Sequence, residues 1–381
     1  PAATVVHTTP IKLNNGGATV FAPGVSLEQF TGKYEAVFSP VTDGEATLFM
    51  EADDGFRCII NGDTIMDQYR RGHGVRQRYI PLEYKAGEKY TIQIDYNQHF
   101  EMAHFQFDIY TKIEKTQQDM LAQIGDADVV IFVGGISPRL EGEEMKVDAY
   151  GFKGGDRTDI QLPECQRSLI KAIHDSGKRI IYVNCSGSAI ALVPETENCE
   201  AILQAWYPGE RGGDAVADVI FGDHNPSGKL PVTFYRSVDD LPDFLDYRMA
   251  NRTYRYFKGN PLWSFGYGMS YTSFVIGKPS YKKGTLSVSI ENTGKRDGSE
   301  VVQVYVKRVG DTDGPQKTLR AFKRIDLKAG EKKAIEFSLD DKVFEMWDSQ
   351  TNTMRPMRGR YEIMVGNSSR TEDLQTIMVK Y

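Results

Sequence analysis

The stretch ADVVIFVGGISPRLEGEEM, residues 127–145, decides how the middle of this chain folds. Its first part, residues 127–133, is an apolar run of strand length, and two glycines and an acidic segment follow directly. After a variable run comes GGDRTDIQLP at 154–163, where Pro163 suits the first turn of a helix. Open α/β sheets present their reactive groups on loops at the C-terminal ends of strands, so we assign the candidate chemistry to residues 134–163.

Helix and strand patterns alternate on both sides of this stretch. The predicted helices are 114–124, 164–176 and 214–221, and the predicted strands are 127–133, 179–184 and 201–206. In the second helix, Cys165, Leu169, Ala172 and Ile173 recur at three or four residues and predict one face for a sheet. Residues 180–183 are apolar on both faces, as in a sheet covered by helices. A layered α/β sandwich with a mostly parallel sheet is therefore predicted over 114–270.

The flanking regions carry strand patterns only. Before residue 113, strand-length apolar runs at 34–38, 46–50, 57–61, 90–96 and 104–109 are separated by turn signals. Asp-Gly at 54–55 and Asn-Gly at 61–62 enclose one short strand, as hairpins prefer. After residue 270, apolar and polar residues alternate at 286–290, 302–306, 335–339 and 361–365. Both patterns predict all-β domains: a β-sandwich module over 1–113 and a second β-sandwich over 271–381.

The charge composition limits the kinds of partner that the chain is expected to bind. The 46 basic and 52 acidic residues give a formal charge of -6, which argues against nucleic acid or an anionic membrane and suits a neutral sugar better. No apolar run approaches the roughly 20 residues that cross a bilayer, and no signal-peptide pattern opens the chain. Since the chain begins with Pro1 and not Met, we expect a processed product or part of a longer polypeptide.

The four cysteines show no metal-ligand spacing, and no other metal site is predicted. Buried free thiols are the favoured interpretation, with one disulfide between Cys185 and Cys199 left open. The aromatic residues between 254 and 267 are interpreted as packing at a domain junction, with a sugar subsite as the alternative. No GxGxxG motif opens a helix after the first strand, which disfavours a dinucleotide-binding oxidoreductase.

Four longer motifs follow one another along the second and third regions. They are GERGGDAVADVIFGD at 209–223, NPSGKLPVTF at 225–234, PLWSFGYGMSY at 261–271, and NTG with GSEVVQVY within 292–305. Together they make residues 114–381 resemble the C-terminal half of glycoside hydrolase family 3, the retaining, exo-acting β-glycosidases. The resemblance implies an α/β sandwich followed by a fibronectin type III-like domain.

The segment DDGFRCIING at 53–62 is similar to the hallmark of the PA-fourteen module, the β-sandwich named after protective antigen. Such a module inserted in the sandwich domain is a known variation of the family. In some of its relatives paired aspartates bind calcium. For Asp53 and Asp54 a hydrogen-bonded turn is the favoured interpretation.

The family resemblance also implies that two domains share the catalytic carboxylates. The nucleophile is an aspartate of an N-terminal (β/α)8 barrel, and no stretch of this chain matches that barrel or the first strands of the sandwich. We therefore expect the chain alone to be inactive. Its expected partners are the barrel portion of the same enzyme and an oligosaccharide substrate, with no cofactor, no membrane insertion and a periplasmic or extracellular location.

The acidic loop supplies the candidate acid/base. Retaining hydrolysis needs a nucleophilic carboxylate and, roughly 5 to 5.5 Å away, a carboxyl that protonates the leaving oxygen. In the xylosidase-like branch this carboxyl is the second glutamate of a Leu/Ile-Glu-Ala-Glu segment that precedes Asp-Arg and Leu-Pro, and the resemblance carries the role to Glu143. Residues 144–155 separate the two parts here, so Glu141 is the runner-up and Glu144 a poorer candidate.

Other interpretations of the same residues stay open. The acidic run could be a solvated turn in which Glu143 pairs with Lys146 or Lys153. Asp156 and Arg157 are expected to form an ion pair that holds the loop, with binding of the sugar by Arg157 as the minority alternative. The competing function is a non-catalytic carbohydrate-binding or adhesin fragment. The favoured one is the C-terminal portion of a β-xylosidase or β-glucosidase that acts at the non-reducing end of β-linked oligosaccharides.

Overall fold

A computed structural model describes residues 1–7, 10–16, 19–70, 74–111, 115–141, 147, 149–154 and 156–381. The chain divides into two units, Pro1–Thr116 and Gln117–Tyr381. Among the described residues, one hydrophobic core lies in the first unit and two lie in the second. No helix within the described ranges has both the length and the apolar character needed to cross a bilayer.

The first unit is a β-sandwich. Its strands are β1 (Ile11–Asn14), β2 (Phe30–Phe38), β3 (Gly44–Ala52), β4 (Gly55–Ile60), β5 (Asp63–Asp67), β6 (Arg76–Tyr84), β7 (Tyr90–Gln98) and β8 (His104–Tyr110). They form two antiparallel sheets, ordered β1-β8-β3-β6 and β2-β7-β4-β5. Leu48 and Phe105 from one sheet are buried in the same core as Phe56 and Tyr96 from the other.

The two turns predicted in this unit are formed by backbone in the left-handed region. Asn61 (φ 50°) and Gly62 (φ 92°) close the β4–β5 hairpin, and two positive φ values define the two-residue turn whose twist matches that of the strands.

The Asp54 carboxylate accepts the N–H groups of His99 (2.6 Å) and Phe100 (3.2 Å). Asp53 accepts the N–H of Gly74 at 2.9 Å. Both carboxylates thus accept backbone N–H groups from distant loops, which favours a hydrogen-bonding role for this aspartate pair.

The second unit begins with alternating helices and strands. In chain order these are α1 (Gln117–Ile124), β9 (Val129–Gly135), α2 (Pro138–Glu141), β10 (Phe152–Lys153), β11 (Asp156–Arg157), α3 (Glu164–Asp175), β12 (Arg179–Cys185), α4 (Val193–Asn198), β13 (Ala201–Gln204), α5 (Gly212–Phe221) and α6 (Thr253–Tyr256). A 3-10 turn spans Val238–Asp240. Strands β13, β12 and β9 form a parallel sheet in that order, so the prediction of parallel pairing is confirmed.

Helix α3 packs on this sheet with most of the predicted face, since Ile173 lies in the core and Leu169 packs against it. Ile170 and Ile173 are buried, whereas Cys165 is exposed. Pro163 precedes the helix at its N-cap position instead of lying in the first turn. The prediction is wrong only at Cys165, which lies in the first turn of the helix and faces away from the core. Gly222 (φ 84°) ends α5 as expected.

The strand β9 at the edge of this sheet is covered on one face. Val133 is 65% exposed and Ile131 44% exposed, while the alternating residues Val130 and Phe132 pack against the core. The central strand β12 is different, with Ile180 and Tyr182 fully buried and Val183 nearly so. Coverage on both faces, expected from the apolar run at 180–183, therefore applies to the central strand but not to β9.

All four cysteines are free thiols, so the disulfide left open between Cys185 and Cys199 is not formed. Cys58 lies in the core of the first unit, and burial raises the pKa of its thiol to about 11. Burial likewise raises the pKa of Cys199 to about 12, and the nearby Glu195 adds to the effect. These thiols are poor nucleophiles at neutral pH because their thiolate forms are scarce.

The rest of the second unit is a β-sandwich. Its strands are β14 (Phe274–Ile276), β15 (Ser280–Lys282), β16 (Thr285–Asn292), β17 (Gly298–Arg308), β18 (Thr318–Leu327), β19 (Lys332–Ser338), β20 (Glu345–Asp348), β21 (Thr353–Pro356), β22 (Arg360–Gly366) and β23 (Leu374–Lys380), with 3-10 turns at Asp341–Phe344 and Thr371–Asp373. In one sheet, β16 pairs with β14, β15 and β19. The other sheet has the strand order β18-β17-β22-β23. The predicted inward positions at 286–290, 302–306, 335–339 and 361–365 line the core.

A buried ion pair joins this sandwich to the α/β region. Lys229 lies 2.7 Å from Glu300, with the two side chains 11% and 5% exposed. Lys229 also donates to the carbonyl of Gly268, and Glu300 accepts the side-chain amide of Asn367. Both charged groups are therefore hydrogen-bonded although they are shielded from water. A buried ion pair is tolerated under this condition.

Replacing Lys229 with Met should be strongly destabilising because Glu300 would remain buried without its cation. We expect a loss of about 3 kcal/mol in the free energy of unfolding of the second unit. Denaturant titration monitored by tryptophan fluorescence measures it. The control is Lys328→Met, which removes an exposed pair with Asp297 and should cost less than about 1 kcal/mol. Equal losses in the two variants would contradict the structural role of the buried pair.

Candidate active site

The candidate site lies where the three parallel strands end at the same edge of the sheet. Strand β9 leads into Ile136 and α2, β12 into residues 186–188, and β13 into Trp206 and Tyr207. The acidic loop therefore begins at the C-terminal end of a strand, as predicted. Three loops from different parts of the chain meet here because the strands are parallel and in register.

The start of the acidic loop is fixed by a close approach between two strand ends. At Gly135 (φ 127°) a side-chain Cβ would stand 1.9 Å from the carbonyl oxygen of Cys185, so only glycine fits. The side chain of Gln166 on α3 clamps the same peptide: it accepts the Gly135 N–H and donates to the Gly135 carbonyl, both at 2.8 Å. The backbone direction into the loop is thereby set.

A buried polar chain fixes the neighbouring turn at 186–188. The Tyr182 hydroxyl donates to Asn184 at 2.8 Å, and the Asn184 amide donates to Gln204 at 2.6 Å. Gln204 donates to the Ser186 hydroxyl, which donates to the carbonyl of Ser188 at 2.9 Å. Asn184 and Ser186 are fully buried. Since such groups are costly when left unpaired, the network holds Ser188 in one place.

Glu141 connects the acidic loop to both neighbouring strand ends. Its carboxylate accepts the Tyr207 hydroxyl at 2.7 Å and the Ser188 hydroxyl at 3.1 Å. A Cβ on Gly187 would meet both the Tyr207 ring (2.6 Å) and the carboxylate (2.9 Å), so the turn must pass close to them. The last residue of α2 is therefore anchored to β12 and β13.

The Tyr207 hydroxyl has two short contacts, at 2.7 Å to the Ile136 carbonyl and 2.7 Å to Glu141. A phenol has one proton, so the Tyr207 hydroxyl shares its donation between these two acceptors. Burial, and then the hydrogen bond and charge of Glu141, raise the pKa of Tyr207 to about 12. Its predecessor Trp206 (φ 57°) lies in the left-handed region, which is unusual for a bulky residue.

Arg157 stabilises the second part of the acidic loop, residues 156–161. Its guanidinium donates to the carbonyls of Asp159 (3.1 Å) and Gln161 (3.4 Å) and to the Ser188 hydroxyl (3.2 Å), and it lies 5.9 Å from the centre of the Phe152 ring. Burial lowers the pKa of Arg157, and the charge of Glu141 opposes this.

The predicted ion pair between Asp156 and Arg157 is wrong. The two residues form the short strand β11, and successive strand residues point to opposite faces. Arg157 turns toward Ser188, and no ion pair joins it to Asp156 among the residues that the structure describes.

Glu143 and Glu144 lie outside the described residues, and so does Lys146. Of the three candidates for the acid/base, the structure therefore describes the surroundings of Glu141 alone. Sequence reasoning missed Tyr207 and gave Ser188 no role at the site. The available signal was position: each follows a predicted parallel strand directly, at the edge where the acidic loop starts. No group of three or more His, Cys, Asp or Glu suited to a metal ion occurs among the described residues.

Comparison with known families identifies the family of the chain. The model of the glycosyl hydrolase family 3 C-terminal domain matches residues 14–271, and that of the fibronectin type III-like domain matches residues 300–369. The first of these covers well over half of the 381 residues. The chain belongs to glycosyl hydrolase family 3.

Relatives in this family are glycosidases by name. A xylan 1,4-beta-xylosidase of Xylanibacter ruminicola is 44% identical over the whole chain, and a periplasmic beta-glucosidase of Salmonella typhimurium is 37% identical over 64% of it. A crystal structure of a beta-glucosidase from Kluyveromyces marxianus superposes with a TM-score of 0.74 at 26% identity, over 92% of this chain and 44% of that one. The chain spans 44% and 33% of the length of the two curated relatives.

The anchoring of the loop by Tyr207 can be tested by replacing it with Phe. The lost hydrogen bond should free α2, so amide exchange at Leu140 and Glu141, whose N–H groups donate to the Ser137 carbonyl, should become faster. We expect about fivefold, since one such bond contributes about 1 kcal/mol. Hydrogen exchange mass spectrometry measures it. Tyr150→Phe, at a side chain that is 86% exposed, is the control; unchanged exchange in the Tyr207 variant would contradict the anchor.

Proposed function

We propose that this chain supplies the acid/base carboxyl of a retaining β-glycosidase of the β-xylosidase or β-glucosidase type. Its substrate is a β-linked xylo- or gluco-oligosaccharide, cleaved from the non-reducing end. The observation that carries the proposal is the acidic loop at the C-terminal sheet edge, anchored through Glu141 to Tyr207 and Ser188. The names of the relatives supply the substrate class.

Glu143 is the proposed acid/base. In the first step its protonated carboxyl donates to the glycosidic oxygen while a nucleophilic carboxylate attacks the anomeric carbon, and in the second step Glu143 takes a proton from the attacking water. The nucleophile is proposed to belong to an N-terminal (β/α)8 barrel of the same enzyme. Proton donation near neutral pH requires the pKa of the acid to be raised by burial or by the neighbouring carboxylate.

The anchor at Glu141 supports this assignment. Glu143 follows Glu141 by two residues in the sequence, so the segment that carries Glu143 begins at the anchored end of α2. Both oxygens of Glu141 are engaged with hydroxyl groups inside the chain, which favours a positioning role for Glu141. Glu141 is the alternative acid/base, because its carboxyl lies at the same edge of the sheet, beside Tyr207 and Ser188.

The surrounding parts have proposed roles of their own. Arg157 is kept as a minor candidate for substrate binding, although its contacts with two carbonyls and Ser188 favour a bracing role. The first unit is proposed to be a PA-fourteen-type module that restricts the size of the leaving group, and the C-terminal sandwich braces the α/β domain. A periplasmic or extracellular location fits the name of the Salmonella relative.

The assignment is tested in a polypeptide that joins this chain to its barrel. Glu143→Gln should lower kcat/KM about 100-fold or more on an unactivated xylo- or gluco-oligosaccharide, since proton donation contributes roughly 10²–10⁴-fold. An aryl glycoside with a good leaving group needs little protonation, so its glycosylation rate should change much less. Glu141→Gln is the matched control, and the same selective loss in that variant alone would move the role to position 141.

The chain by itself should not hydrolyse an aryl β-xyloside or β-glucoside, because half of the carboxylate pair lies elsewhere. Turnover by the purified chain, measured as phenol release, would contradict this division of the site. Oligosaccharide titration of the same sample tests the adhesin alternative. Micromolar binding that is localised to the first unit would favour the adhesin over the enzyme.

A further inference from the structure

A surface loop of the second unit, residues 241–249, carries several large apolar side chains that face solvent. Phe244, Leu245, Tyr247 and Met249 are between 46% and 85% exposed, and they stand close together in the sequence. A single apolar residue at a surface is ordinary, whereas several together mark a surface that another molecule covers. These four side chains are called the apolar patch below.

The backbone under the apolar patch is stabilised by polar groups of the loop itself. Arg252 donates to the carbonyls of Asp243 (3.4 Å), Arg248 (3.2 Å) and Asp246. The Asp246 carboxylate accepts the N–H and the guanidinium of Arg248. The Asp243 carboxylate accepts the N–H of Leu245 at 2.8 Å. The loop is thus preorganised, which lowers the conformational entropy that is lost when a partner binds.

Both ends of the loop are attached to the second unit close to the end of β13. Before the loop, the buried Phe234 meets the ring of Trp206 edge to face, with ring centres 6.1 Å apart. After the loop, the N–H of Thr253 donates to the Tyr235 hydroxyl at 2.8 Å. Because Trp206 lies at the C-terminal edge of the parallel sheet, the base of the loop adjoins the candidate active site.

The aromatic residues that follow the loop pack within the protein. Tyr254 stacks on Phe265 with ring centres 4.3 Å apart, and it meets Tyr305 of β17 edge to face. Its hydroxyl accepts the N–H of Leu319 on β18. This confirms the interpretation of the aromatic residues between 254 and 267 as packing at a domain junction. The apolar patch differs from them because its side chains remain exposed.

The relatives of this chain are much longer than the chain itself. The chain spans 44% of the xylosidase relative and 44% of the Kluyveromyces structure, so more than half of each lies outside the matched region. The nucleophile proposed above belongs to such a further region. It must reach the sheet edge beside Trp206, since both carboxyls act on one glycosidic bond. A domain seated at that edge lies next to the apolar patch.

We propose that the apolar patch is a docking surface for the N-terminal (β/α)8 barrel of the same enzyme. Its aromatic and aliphatic side chains are buried against the barrel and fix the barrel relative to the acidic loop. The inference rests on the proposed function, because it takes the barrel as the partner. It adds that a contact away from the catalytic carboxyls holds the two halves of the site in register.

Hydroxyl-radical footprinting tests the proposal, because Met, Tyr and Phe side chains are oxidised according to their exposure to solvent. The chain alone is compared with a polypeptide that joins the chain to its barrel. We expect oxidation of Phe244, Tyr247 and Met249 to slow severalfold in the longer polypeptide. The matched controls are Phe322 on β18 (65% exposed) and Met354 on β21 (51% exposed), which should react equally in both samples.

Unchanged oxidation of the apolar patch, or equal protection of the two controls, would overturn the proposal. Protection in the chain alone that increases with protein concentration would also overturn it, because a second copy of the chain would then be the occupant. The footprint is read without any activity measurement. It is therefore unaffected if the assignment of the acid/base to Glu143 fails, and an unprotected patch leaves that assignment standing.

Phe244→Ser provides a second measurement. The side chain is 70% exposed in the chain alone, so its replacement should leave the melting temperature of the chain unchanged. In the barrel-containing polypeptide the same replacement removes buried apolar area and should lower the melting temperature by several degrees. Phe322→Ser is the control and should change neither sample. A barrel-containing Phe244 variant that melts like its parent would contradict burial of the patch.

Discussion

The contact between the Glu141 carboxylate and the Tyr207 hydroxyl is the constraint on which the candidate site depends. It joins the end of the short helix α2 to the end of β13, while Ser188 joins the same carboxylate to β12. Without these bonds the side chain of Glu141 would no longer join α2 to the loops that follow β12 and β13. With them, the ends of β9, β12 and β13 are joined through one carboxylate at the edge where the acidic loop begins.

The fold could be predicted from the sequence where the burial of one face imposes a regular spacing on the apolar residues. Strands with one buried face were found from their alternation, and the parallel strands from their apolar runs. The three strands missed in the first unit, β1, β5 and β6, are all at sheet edges. An edge strand needs no regular apolar face, and β6 carries Arg76, Glu83 and Pro81, which edges tolerate and central strands do not. These strands are specified by pairing with neighbours, which the local sequence does not show.

The candidate site was predictable only in part, for a related reason. The acidic loop is continuous in sequence, so its place after β9 followed from the strand pattern. Its partners Ser188 and Tyr207 come from loops 47 and 66 residues away, and the sheet alone brings them together. The wrong pairing of Asp156 with Arg157 followed from assuming that neighbours in sequence are neighbours in space, which a strand forbids.

The central claim is that position 143 carries the acid/base, and azide rescue tests it most directly. Glu143→Gly in the barrel-containing enzyme removes the acid and base and leaves space beside the anomeric carbon. Azide attacks without needing a base, so it should accelerate turnover of an activated aryl glycoside and give a glycosyl azide of retained β configuration. If azide leaves Glu143→Gly unchanged and rescues Glu141→Gly instead, the assignment of the proton donor is contradicted.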